Sequence, residues 1–313
     1  MRRTEKGAAL VLVLSLVALL SILLVDLNQT VRGTGNYLQS KLSSSQAEWY
    51  VYSGLEYALL KAKAFSVEGV ISETKENMAY EIEDGVLQLS LGSLHGCFNV
   101  NSLDQQAKGS DSREVALKLL RGLLVAQDID ERTAKIFSSR LADWIDQDTV
   151  PVDTYGFERS GQNSPSPANQ HIHNISELQS LSILDEEQFS KVRRFLCARP
   201  GDSTISINPN DLNEDNIALL EHLVNRDDHT EPVSQLIHGR PANGYKDLKD
   251  FLDNSFFATD AGKELAPIFS LKREYFSSQV RVTHKRSRLE LNATLRINDK
   301  GGFVVSKYYG VVP

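Results

Sequence analysis

The first thirty positions carry the strongest hydrophobic pattern in the chain. From Ala8 to Val25 only Ser15 and Ser21 bear polar side chains, and Arg2, Arg3 and Lys6 stand in front of the run. A helix over this stretch reaches roughly 27 Å, close to the hydrocarbon thickness of a bilayer. The positive flank predicts an N-terminus that stays in the cytoplasm and a body exported across the membrane. A cleaved secretory signal needs small residues just after its apolar core. Here the run ends Ser21-Ile22-Leu23-Leu24-Val25-Asp26, which offers no such site. Beyond it, Val31, Leu38, Leu42, Trp49, Tyr52, Leu55, Leu59 and Ala62 recur at helical spacing, so the helix is expected to continue to about residue 65. Gly33 and Gly35 weaken it locally.

The period then changes. Residues 80–89 alternate around Asp84-Gly85, a hairpin signal. Far downstream Leu289, Leu291, Ala293, Leu295 and Ile297 alternate strictly, and Asp299-Lys300-Gly301-Gly302 leads into Phe303-Val304-Val305. A long helix followed by a small antiparallel sheet is thus expected, with the sheet split by a mostly helical insert. The insert contains a faint internal repeat. Phe98-Asn99-Val100-Asn101-Ser102-Leu103 precedes a helical stretch through Leu124, and Ile205 to Leu212, reading ISINPNDL, precedes another through Val224. Each is followed by more helix-like sequence, ending near Trp144 and Phe251, so two related modules are expected.

Composition narrows the classes. The chain has 313 residues, 41% hydrophobic and 24% charged, with a formal net charge of -7. It is long enough for two or three compact units. The acidic balance disfavours a nucleic-acid binder. Two cysteines exclude a disulfide-dense scaffold and a four-cysteine zinc site.

The best candidate chemistry is an acidic loop. Asp143, Asp146, Asp148, Asp153 and Glu158 follow one another with no Lys or Arg between them. Hard cations such as Ca²⁺ take six to eight oxygens, often from several carboxylates on a loop. Asp146, Asp148, Asp153 and Glu158 are taken as the candidate ligands, while Asp143 is assigned to capping or pairing within the preceding helix. A solvated acidic loop after a helix end is the alternative. Cys97 and Cys197 would face an oxidising compartment in an exported body; a disulfide and two buried thiols both remain open. His171 and His173 form an H-x-H that reads as a polar surface pair, and His284-Lys285-Arg286-Ser287-Arg288 as a solvated hairpin tip. No H-E-x-x-H, G-x-S-x-G or P-loop pattern is present, so no catalytic residue is assigned.

The junction Lys6-Gly7-Ala8-Ala9-Leu10, a short charged leader ending in glycine before an apolar helix, resembles the signal of type IV pilins and type II secretion pseudopilins. Further matches run in order along the chain: QAEWYVYSGLEYALLKA, FNVNSL, LADWIDQD, ISELQSL, ISINPNDL, and YFSSQVRV followed by RLELNATLRI. Together they resemble the K-type minor pseudopilin family of type II secretion. The resemblance implies an α+β fold, with a pilin-like long N-terminal helix and a small antiparallel sheet. It also implies a large inserted α-helical domain of SAM-like or helix-hairpin-helix-like topology. On that plan residues 1–7 are the leader, 8–65 the transmembrane and amphipathic helix, 66–104 and 271–313 the split β domain, and 105–270 the insert.

The same resemblance implies prepilin peptidase cleavage after Gly7 and methylation at Ala8. It implies calcium in the α-domain, partnership with minor pseudopilins of types I and J and with type H and the major pseudopilin, and an inner-membrane location. Leu12 stands where most such subunits carry glutamate at the fifth mature position. The family picture pairs that acid with the amine of a neighbouring subunit, and an unpaired carboxylate in hydrocarbon is costly. Its absence fits a subunit at the filament tip, nucleating assembly or limiting length. A membrane-anchored periplasmic metal-binding enzyme, a DNA-uptake protein and a type IV minor pilin are the competing readings.

Overall fold

The computed structural model describes residues 4–67, 75–104, 110–158, 167–213, 216, 219 and 239–310. Helix α1 (Thr4–Val67) is continuous. Among the described residues it holds the one stretch long and apolar enough, by length and composition, to cross a membrane. From Leu10 to Leu42 its side chains are exposed. Its second half is amphipathic, and Ala47, Val51, Leu55, Ala58 and Ala62 bury one stripe at the three- and four-residue spacing of a helix face. The sheet below supplies Leu87, Leu89, Phe276, Val280, Leu291 and Leu295 to the same core. Gly54 lets the helix come close, because a Cβ there would stand 2.6 Å from Val280 Cγ1.

The sheet runs β1 (Lys75–Ile82), β2 (Gly85–Ser93), β5 (Tyr275–His284), β6 (Ser287–Asn298), β7 (Gly301–Tyr309), in that spatial order, with every pair antiparallel. The two-residue turn joining β1 to β2 is Glu83-Asp84 rather than Asp84-Gly85, with Asp84 at φ +53°. Gly85 is instead the first residue of β2, where a Cβ would collide with the Thr283 carbonyl of β5.

β2 and β5 are neighbours in space although the whole insert lies between them. At one end Gly85 pairs with His284, and His284 rests on Ser43 of α1. At the other end Ser93 pairs with Phe276. The insert therefore leaves the sheet at the end remote from the exposed apolar half of α1.

Its modules close in the same way. In the first, β3 (Phe98–Asn99) and β4 (Leu196–Cys197) pair in parallel. The bonded pair Cys97–Cys197, Cα atoms 5.8 Å apart, lies across this closure. In the second, Ile207 and Phe269 form a parallel bridge. The repeated asparagines do equivalent work. Asn101 Nδ2 donates to the Ile172 carbonyl and its Oδ1 accepts from the Ile172 N–H; Asn210 does the same with Tyr245. Asn99 and Asn208 each accept from the N–H two residues on. The repeat legible as NxN thus fixes a shared backbone fastening.

Helices α2 (Ser110–Ala126), α3 (Glu131–Ile145) and α4 (Glu186–Arg193) build the first module, and α5 (Leu248–Leu252) and α6 (Asp260–Leu265) belong to the second. The helical stretch expected through Val224 falls largely outside the described residues. One apolar core serves both modules, and Phe98, Val100 and Leu103 pack in it, ahead of the boundary expected at 105.

A buried polar junction ties insert to sheet. Asp211 accepts from Ser93 Oγ at 2.6 Å and from Arg273 Nε at 2.8 Å. His95 Nε2 accepts the N–H groups of Glu274 and Tyr275, while Arg199, fully buried, packs its guanidinium against the other ring nitrogen and donates to the Thr204 carbonyl.

Candidate functional site

The acidic cluster forms where α3 ends. Asp130 caps the helix start by accepting from the Thr133 N–H. At the other end no basic residue occupies the last turn, and Asp146 is the C-terminal cap residue. Asp143 and Asp146, three apart, share a helix face. The chain then returns, and Gly156 permits it: a Cβ there would collide with the Asp143 carboxylate.

Asp143 Oδ1 accepts from the Val152 N–H at 2.8 Å, and Oδ2 from the Phe157 N–H at 2.5 Å. That loop closure delivers Glu158 to the cluster. Ligand oxygens of Asp143, Asp146 and Glu158 lie within 4.8 Å of one another.

The charges are only partly balanced. Arg113 Nη2 donates to Asp146 Oδ2 at 2.7 Å. Asp146 Oδ1 and both Glu158 carboxylate oxygens are buried with no hydrogen-bond partner. Burial, partly offset by Arg113, pushes Asp146 up to about 6. Burial and the charges of Asp143, Asp146 and Asp148 push Glu158 up to about 7. Burial also raises Asp143, against the two N–H groups that stabilise its charge. Like charges crowded out of water favour either protons or a cation.

Of the four carboxylates chosen from sequence, the structure brings Asp146 and Glu158 together. Asp148 turns its carboxylate to the Val150 N–H at 2.7 Å. Asp153 is a fastener: it accepts from Arg121 Nη2 at 2.9 Å, Ser139 Oγ at 2.8 Å and the Tyr155 N–H at 2.8 Å. Burial alone would raise Asp153, but these donors hold it below the usual carboxylate range. Asp143, assigned from sequence to a local helical role, belongs to the cluster instead. Its i,i+3 spacing to Asp146 is the signal that points there.

His171 and His173 do not converge on a common point. His171 Nε2 meets Asp104 at 3.0 Å and its Nδ1 accepts from the Gly201 N–H, while His173 Nδ1 meets the His171 carbonyl. Gly7 and Ala8 lie in the opening turns of α1. The buried junction of His95, Arg199, Arg273 and Asp211 escapes a reading of the sequence, because its members lie far apart along the chain.

Known proteins share this architecture. Residues 96–201, the first module, match the family model of type II secretion system (T2SS) protein K. The chain is 24% identical to type II secretion system protein K of Pectobacterium carotovorum subsp. carotovorum, over 99% of this chain and 98% of that one. The Klebsiella pneumoniae protein K is also 24% identical, over 99% and 98%. That of Aeromonas hydrophila is 26% identical over 92% of each chain. A chain of the GspK-GspI-GspJ complex from the enterotoxigenic Escherichia coli type 2 secretion system superposes with a TM-score of 0.74 at 24% identity, covering 88% of this chain and 99% of that one. At that identity the likeness speaks for the fold: long helix, antiparallel sheet and helical insert.

Proposed function

We propose that this chain is a minor pseudopilin of the protein K family of the type II secretion system rather than an enzyme, a reading its family-model match and relatives support, and that it stands at the tip of the pseudopilus. The carrying observation is where the insert sits. It leaves between β2 and β5 at the sheet end remote from the membrane-spanning half of α1, so it crowns the body. A subunit stacked above would have to occupy the space the insert fills. Subunits below meet only the narrow helix and sheet. Such a subunit starts a filament, or limits it, but does not repeat along it.

In this reading a prepilin peptidase cuts after Gly7, Ala8 becomes the methylated first residue, and α1 holds the chain in the inner membrane with the body in the periplasm. Pseudopilins of types I and J are its partners, since the structurally similar E. coli GspK stands in a complex with GspI and GspJ; type H and the major pseudopilin follow beneath. Full-length chain co-expressed with the I- and J-type pseudopilins of the same system should elute with both in equal amounts. Elution of this chain alone, with I and J pairing without it, would contradict the proposal.

The acidic cluster fits calcium as the cofactor. Its three carboxylates converge, and buried oxygens of Asp146 and Glu158 lack partners; an oxygen-only donor set suits a hard cation. Asp143, Asp146 and Glu158 would hold it, with Asp148 beside them. A bound cation would neutralise the crowded charge and fasten the returning loop to the end of α3, stiffening the insert.

A further inference from the structure

The β5–β6 hairpin is fastened to the membrane-proximal end of the body. His284 lies against Ser43 of α1, and Ser287 donates to Ser43 Oγ at 3.1 Å. Between this hairpin and the helix opens a cavity of about 380 Å³. Asn36, Gln39 and Ser40 line it from one side, and Lys285, Arg286 and Ser287 from the other. Amides, hydroxyls and cations together are the groups that recognise phosphate oxygens.

Lys285 meets Asp84 at 3.3 Å. Arg286 and Arg288 are exposed, and no carboxylate pairs with either among the described residues. The stretch of α1 from Leu27 to Ser43 adds Arg32 and Lys41 and no acid. At the same end stand Asp26 and the turn residues Glu83 and Asp84, so Arg32, Lys41, Lys285, Arg286 and Arg288 leave a net positive charge there, a local departure in a chain whose total is -7.

Its position says what it faces. From Val25, the end of the apolar run, to Asn36 is a rise of about 16 Å along a helix. The headgroup layer takes up about 5–8 Å of that. An upright body thus holds the hairpin tip about 10 Å above the phosphates, close to one Debye length. Gly33 and Gly35 stand between membrane and body, and nothing lies within 4 Å of either position. Packing does not require glycine there; what two glycines do is lower the cost of bending the helix.

We propose that, while the subunit is anchored in the membrane, Arg286, Arg288 and the cavity beside them dock on anionic phospholipid headgroups, with α1 bending at Gly33–Gly35 to bring the body down. The contact holds the subunit in a lying, stored orientation and is released when the subunit is drawn up into a filament. It rests on the reading that α1 spans a bilayer, and not on the place of the subunit in the filament.

The test uses the full chain in lipid nanodiscs. Because the two native cysteines are bonded to each other, Asp299→Cys introduces a free thiol at the β6–β7 turn, the far end of β6. A donor dye there and an acceptor dye on the headgroups report how far the body stands from the bilayer. Energy transfer should be low in neutral lipid, high with about a third anionic lipid, and low again in 0.5 M salt.

Each basic residue near an anionic surface favours the bound state by about fivefold. Arg286→Gln with Arg288→Gln should therefore shift the lying-to-upright ratio on the order of twentyfold, while Lys at both positions retains docking. Equal transfer in neutral and anionic lipid overturns the proposal. So does lipid-dependent transfer that survives the double Gln variant at unchanged melting temperature, or that inorganic phosphate competes away at constant ionic strength. Failure of the chain to enter nanodiscs at all would instead count against α1 as a membrane span.

Discussion

Asp146 and Glu158 bear the sharpest residue-level consequences. Their buried oxygens lack partners, so the metal-free protein is destabilised by crowded charge. If calcium fills the site, adding it at a hundredfold over its dissociation constant should stabilise the insert by about 2.7 kcal/mol. Asp146→Asn with Glu158→Gln should abolish that gain in a calcium titration of thermal melting. An equal calcium-dependent shift in wild type and double variant would remove these residues as ligands. Gly156→Ala leaves every charge in place but drives a methyl group into the Asp143 carboxylate. It should weaken calcium binding measured by calorimetry without altering the sheet's unfolding.

His95 gives a pH dependence with a definite sign. Burial, followed by the positive charge of Arg199, lowers it from 6.5 to about 3, against a hydrogen bond with the Ser206 carbonyl. The unfolded chain therefore binds the extra proton between those values. The stability His95 contributes is full above about pH 6.5 and falls as pH drops towards 3, by up to about 1.4 kcal/mol per unit. Raised carboxylates at Asp146 and Glu158 act in the opposite sense when no cation is bound, because acid relieves them. Comparing wild type with His95→Gln separates the two. The advantage of wild type over the variant in urea midpoint should grow as pH rises from 4 to 6.5, and a difference that stays constant with pH would show that the buried imidazole plays no part.

The elements differ in how openly the sequence declares them. The apolar run of α1 and the alternation along β6 are local periodicities, and both are observed. The NxN repeat is legible as a pattern, but its meaning is not. Asn101 and Asn210 fasten backbone 71 and 35 residues away, and no local rule reports such a partner. Sequence alone misplaces Asp143 for the same reason: its donors, Val152 and Phe157, reach it only once the loop has folded back. Asp153 looks like Asp146 in sequence, and each meets an arginine of α2; what tells them apart is that Ser139 and the Tyr155 N–H complete the partners of Asp153 while Asp146 Oδ1 has none.

Close contacts between elements can be tested by substitution. Gly54→Leu should separate α1 from β5 and cost about 1–3 kcal/mol by overpacking, read as a lower denaturant midpoint for the sheet. Replacing both Cys97 and Cys197 by Ser opens a closure spanning 100 residues and should cost the insert about 2–5 kcal/mol. A variant as stable as wild type would show that the β3–β4 pairing and core suffice alone.

At the scale of the whole molecule, one end of the body continues into the apolar half of α1 and the other carries the insert. The sheet joins them, and the buried junction at Ser93, His95, Asp211 and Arg273 fixes the insert's angle on the sheet. In the proposed reading, a wide body on a thin helix is what denies the subunit a repeating place in the filament. The most direct measurement is the position of a label carried by the insert on purified pseudopili, seen by electron microscopy after the full chain is expressed with its secretion system. A tip subunit places one label at one end of each filament. Labels spaced along the filament shaft would contradict the account.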